Sequence, residues 1–126
     1  MDGRRDAIVT SLKEPFTVTD ERALKAAVLA HLRELRLIHV VDLAELHGVT
    51  TSLMNTLLAL YRAIQQKHGV LALVIAKPDA MRAFEISGLD GLFTIFPEVA
   101  EAVRAAEACA RDPRDRLQSA SKIVRL

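Results

Sequence analysis

The sequence predicts an α/β domain: a four- to five-stranded mixed, mostly parallel sheet carrying about four helices. Three observations point there. Leu37–Leu43 and Val70–Ala76 are aliphatic runs short enough to be strands and apolar enough to be covered on both faces. Between and after them lie segments whose apolar residues recur at spacings of three and four, the mark of a helix with one buried face. Strands that alternate with helices of about 10–15 residues need right-handed crossovers, which make neighbouring strands parallel.

Taken in order, Ala7–Leu12 is a short β-prone stretch. Phe16-Thr17-Val18 follows Pro15 and reads as an edge strand or a turn segment, because proline cannot donate to a ladder. Thr19 is the expected N-cap of a first helix, with Leu24, Ala27, Val28, Leu32 and Leu35 on its inner face. Leu37–Leu43 is then a buried strand, and Ala44–Thr51 a loop containing Gly48. Leu53, Leu57, Leu60, Tyr61 and Ile64 define a second helix that His68-Gly69 closes. After the strand Val70–Ala76, Pro78 opens a third helix at a position where its missing N–H is no loss. Met81 and Phe84 face inward there, and Gly88 ends it. Leu92–Phe96 alternates like a short strand, and Pro97 starts a last helix with Val99 and Val103 inward. Residues 1–110 thus form one domain, and from Arg111 onward a charged tail broken by Pro113.

Composition narrows the function. The chain has 126 residues, 51% hydrophobic and 26% charged, with a formal net charge of +1, which suits an ordinary globular domain and gives no electrostatic case for a nucleic-acid partner. The charged start carries no secretory h-region, and no apolar run approaches the roughly 20 residues needed to span a bilayer, so no membrane association and a cytoplasmic location are expected. Cys109 is the single cysteine, which fits a reducing compartment. His31, His39, His47 and His68 have no metal-ligand spacing and read as surface or helix-end residues, so no metal and no cofactor are expected. No glycine-rich phosphate loop follows a strand, and no nucleophile–base constellation accompanies Asp42 at its strand's end.

Several strings resemble the STAS family of sulphate-transporter tails and bacterial anti-sigma factor antagonists. Its central signature is an aliphatic strand ending in Asp-Leu, a short loop, then Asp-Ser-Ser-Gly-Leu at the start of a helix. Here Asp42-Leu43 is in place, and counting without a gap sets Thr50-Thr51-Ser52-Leu53-Met54 on the second string. A proline-initiated helix running into Gly-Leu-Asp before a Phe-x-Ile/Val-Phe strand matches Pro78 onward, Gly88-Leu89-Asp90 and Phe93-Thr94-Ile95-Phe96. The similarity covers Ala7 to Glu107.

The resemblance implies a non-enzymatic protein-binding module. By it, the unphosphorylated form binds an anti-sigma factor kinase of the histidine-kinase-like ATPase fold, phosphorylation at the Thr51 position releases that partner, and a PP2C-type phosphatase restores binding; a homodimer is compatible with it. Asp42, Gly48, Thr50, Thr51, Ser52, Leu53 and Met54 become the candidate partner-binding residues. This chain departs from the pattern in having Thr50 for the acidic residue, Leu53 for the glycine, and Glu14-Pro15-Phe16-Thr17 where the family often has Gly-x-x-Asp. Those departures favour an alternative, a non-phosphorylated STAS scaffold subunit in a larger bacterial signalling complex.

The residues speak on this turn without any family. Val49-Thr50-Thr51-Ser52 lies where a buried strand hands over to a helix, whose unpaired N–H groups and positive pole suit a phosphate or an acidic group. One of the three hydroxyls is expected to cap the helix. Leu53 and Met54 fall in its first turn, where an outward side chain would anchor a partner and an inward one would join the core. In the tail, Leu117, Ile123, Val124 and Leu126 either stay solvated among the charges or dock on a second subunit or partner.

Overall fold

A computed structural model of the protein describes residues 6–111. Its elements are β1 (Ile8–Ser11), α1 (Val18–Arg33), β2 (Ile38–Asp42), α2 (Thr51–Gln66), β3 (Val70–Val74), α3 (Pro78–Ser87), a 3-10 turn (Leu89–Gly91), β4 (Thr94–Phe96) and α4 (Val99–Arg111). The four strands pair in chain order, and every pairing among the described residues is parallel. The tail's apolar residues lie outside the described residues, and α4 runs through Arg111, one residue past the expected domain end.

β2 and β3 hold the centre. Their register runs from Ile38 opposite Val70 to Asp42 opposite Val74, and the central residues of both are buried. Alternation splits them between two apolar layers. Val41, Leu71 and Leu73 pack with Leu24, Val28 and Leu32 of α1 and Leu53, Leu57, Leu60 and Ile64 of α2. Ile38, Val40, Ala72 and Val74 turn the other way and meet Ala102 and Ala106 of α4. At the larger layer's end, Phe93 meets Phe84 and Tyr61 edge-on, with ring centroids 6.0 and 5.5 Å apart.

Some local expectations change. The segment Phe16–Val18 is not a strand: Thr17, not Thr19, is the N-cap of α1, and Val18 is its first residue. Thr17 and Asp20 form a reciprocal capping box, the hydroxyl accepting from Asp20 N at 3.2 Å while the carboxylate accepts from Thr17 N at 2.8 Å. The Thr17 backbone N–H, then the Thr17 hydroxyl at 2.9 Å, both within hydrogen-bond reach of the same carboxylate oxygen, hold the Asp20 carboxyl below its ordinary range. The inner face of α1 begins with Glu21 and ends at Leu32; Ala27 is exposed, and Leu35 lies past the helix in the left-handed region at φ 62°. Gly69 passes so close to β2 that a Cβ there would stand 2.5 Å from the Leu37 carbonyl oxygen. Gly88 closes α3 at φ 80°, where a side chain would be strained.

His39 departs furthest from expectation. Rather than lying at the surface or a helix end, it stands in the middle of the sheet at 1% exposure. Its Nε2 lies 2.8 Å from the Arg36 carbonyl oxygen and so carries the proton, leaving Nδ1 as a buried acceptor with no partner among the described residues. The His31 ring is 6.1 Å away. Burial pushes the His39 pKa below that of a free imidazole, and the charges of His31 and Arg36 act in the same direction. As pH falls below about 6.5, the unfolded chain therefore takes up a proton that the folded chain resists. The melting temperature should fall between pH 7.5 and 5. The fall should be shallower in His39→Gln, which keeps a donor for the Arg36 carbonyl and cannot titrate; equal slopes would show that other groups carry the dependence.

A candidate partner-binding pole at the strand ends

The sequence-predicted site residues cluster at the C-terminal end of β2: Asp42 closes the strand, Gly48 and Thr50 lie in the loop, and Thr51, Ser52, Leu53 and Met54 form the first turn of α2. Between β2 and α2 the chain is held from inside: Leu43 and Leu46 are buried in the larger core layer. Leu43 N donates to Val74 O at 2.8 Å, extending the β2–β3 ladder by one bond. Exposure is left to Glu45, His47, Gly48, Thr50, Thr51 and Ser52, with Val49 half-buried.

Asp42 serves the fold. Its Oδ1 accepts from Ala44 N at 2.9 Å and its Oδ2 from Ser11 Oγ at 3.2 Å, so the carboxylate turns the chain out of β2 and ties β1 to it. Gly48 is exposed, has no positive φ, and an added Cβ would meet nothing within 4 Å. Leu53 is buried at 2% exposure, so of the two first-turn candidates only Met54, half-buried, reaches toward the surface.

The three hydroxyls of the turn have three different fates. Thr50 is the N-cap of α2, its Oγ1 accepting from Leu53 N at 3.0 Å. Ser52 Oγ donates to Glu21 Oε1 on α1 at 2.6 Å. Thr51, the first helical residue, is exposed, and its hydroxyl makes no hydrogen bond among the described residues.

Beside this turn is a depression of about 710 Å³ lined by Glu14, Pro15, Phe16, Leu46, Gly48, Val49, Thr50 and Leu53. Its floor is apolar and its rim polar. On that rim Glu14 brackets His47, accepting from the backbone N–H at 3.0 Å through Oε2 and meeting ring Nδ1 at 3.1 Å through Oε1. The bracket ties the β1–α1 loop to the β2–α2 loop. The His47 backbone N–H, then its ring, hold the Glu14 carboxyl below its usual range.

An acid paired with a histidine invites comparison with a catalytic dyad. Among the described residues, however, no serine, threonine or cysteine bonds to the His47 ring, which is 69% exposed, so the pair holds two loops rather than activating a nucleophile. No group of three or more His, Cys, Asp or Glu placed to hold a metal occurs among the described residues. No helix there is long and apolar enough to cross a membrane.

Glu14 and Phe16, which the sequence showed only as a departure from the family pattern, join the site, as do Glu21, Leu46 and His47, which no motif announced. Of the last three, Glu21 alone left a signal: it sits in phase with Leu24, Val28 and Leu32 on the buried face of α1, a place where a carboxylate needs a partner.

The architecture is an α/β domain with a parallel sheet covered on both faces and a shallow groove beside the serine/threonine turn at its strand ends. The family model for the STAS domain matches residues 1–102, and the chain belongs to that family. Among curated proteins none matches significantly. STAS domains are in general non-enzymatic binding modules, with the anti-sigma factor antagonists as their general pattern.

The cap and the loop separate cleanly by mutation. Thr50→Ala should destabilise the domain by about 1 kcal/mol in urea unfolding through loss of the N-cap. Gly48→Ala should stay within about 0.5 kcal/mol of the parent, since nothing opposes the added methyl group. A large loss in Gly48→Ala would mean that the loop is packed differently.

Proposed function

We propose that this STAS domain is an anti-sigma factor antagonist of the bacterial cytoplasm, switched by phosphorylation at Thr51 and without catalytic activity of its own. The observation that carries the proposal is the division of labour in the turn. Thr50 is spent on capping α2 and Ser52 on Glu21, while Thr51 offers an exposed, uncommitted hydroxyl at a helix N-terminus. The partner is an anti-sigma factor kinase of the histidine-kinase-like ATPase fold. It places an apolar side chain in the groove over Phe16, Val49 and Leu53 and meets Thr51 and Met54 beside it. In the transfer step, Thr51 Oγ1 bonds to the γ-phosphorus of ATP and the β–γ bridging bond breaks. ADP leaves, and the hydroxyl proton passes to a base of the kinase. The new group carries nearly two negative charges and repels a surface that fitted the neutral threonine. A PP2C-type phosphatase returns the hydroxyl.

Thr50 and Leu53, in place of an acidic residue and a glycine, favour a second reading: a scaffold subunit that docks permanently in a larger signalling complex. One experiment decides between the two. Incubation with the cognate kinase and ATP, followed by phosphate mapping by mass spectrometry, should place the group on Thr51, and Thr51→Glu should weaken complex formation at least 10-fold. No phosphate in the 50–52 turn, with binding unchanged in Thr51→Glu, would leave the scaffold.

A further inference from the structure

Glu21 is a carboxylate in an unusual place. It belongs to the first turn of α1 yet is only 8% exposed, and among the described residues no Lys, Arg or His forms an ion pair with it. A buried carboxylate without a counter-cation needs other compensation. One source is the short hydrogen bond from Ser52 Oγ at 2.6 Å. The other is position, because Ser52 is the second residue of α2, so the bond brings Glu21 to that helix's positive end. The first turn of α2 contains no acidic residue of its own. The acid that a helix start favours is supplied here from the neighbouring helix.

We infer that Glu21 is a positioning residue for the Thr51 turn: it fills the positive end of α2 with a built-in charge, and it opposes any negative charge placed on Thr51. This rests on Thr51 as the residue that acquires the charge. Successive Cα atoms are about 3.8 Å apart, so a charge on the Thr51 side chain falls within about 10 Å of the Glu21 carboxylate, inside one Debye length at 0.1 M salt. A negative group there also competes for the Ser52 hydroxyl, which gives Glu21 its one side-chain hydrogen bond among the described residues. Losing it breaks the side-chain bond that joins α1 to the first turn of α2, so charging Thr51 acts on the packing of α1 against α2 as well as on the exposed surface.

The sign of one substitution tests this. A negative residue at the first position of a helix normally stabilises it. Thr51→Glu should instead lower the melting temperature of the parent protein, by about 1–4 °C at low salt. In the Glu21→Gln background the same substitution should raise it, because the amide still accepts from Ser52 but carries no charge. Thr51→Gln serves as the uncharged control and should behave alike in both backgrounds. Ser52→Ala, which breaks the link while keeping the charge, tests the competition for the hydroxyl and should shrink the Thr51→Glu effect. Equal Thr51→Glu shifts in the parent and Glu21→Gln proteins would overturn the inference. The measurement needs no kinase, so it separates from the switch itself. Non-additivity with Thr51 never phosphorylated would refute the switch and uphold Glu21; additivity with Thr51 phosphorylated would do the reverse.

Discussion

Because β2 and β3 run side by side in the same direction, the chain must travel back the length of the sheet between them, and α2 is that return path. Both strands are buried on both faces, so one helix layer cannot be enough. α1 and α2 take one face, while α4 takes the other with Ala102 and Ala106 against the sheet. The same geometry gathers the β1–α1 and β2–α2 loops at the strand ends, where ligands of open α/β sheets are usually met. Fold and candidate site thus follow from a single pairing.

At that pole the chain handles polar groups in a consistent way. Asp42 is consumed by Ala44 and Ser11, Thr50 by Leu53, and Ser52 by Glu21. Glu14 is held by His47. What remains uncommitted is a short list led by Thr51. Thr51 stays exposed there, its hydroxyl without a hydrogen bond among the described residues.

The long periodic segments were legible in the sequence because a single constraint governs each. Leu53, Leu57, Leu60 and Ile64 must lie on one face, and the nearly continuous aliphatic runs of β2 and β3 leave no face for water. Short-range competition was harder to read. Thr17 and Thr19 are both capping residues, and only the reach of Asp20 back to Thr17 decides between them. His39 sits inside an aliphatic run that itself argues for burial, but a histidine's preference for the surface argues the other way; the Arg36 carbonyl settles it. The site was legible as a place rather than as a set of roles. Motif spacing pointed to the Thr50–Ser52 turn, whereas Glu14 and Glu21 come from 30 or so residues away, and the phase of Glu21 on α1 marks it as buried without naming Ser52 as its partner.

The burial of Leu43 and Leu46 has a consequence for how such a protein can change over time. The loop between β2 and α2 is anchored by Leu43 and Leu46, which lie in the core, whereas Glu45 and Gly48 are exposed and an added methyl group at Gly48 would meet nothing within 4 Å. Substitutions at those exposed positions are nearly silent for stability. After gene duplication two descendants can therefore drift toward different partners by rewriting a few exposed residues, while the leucine anchors keep the same scaffold beneath both.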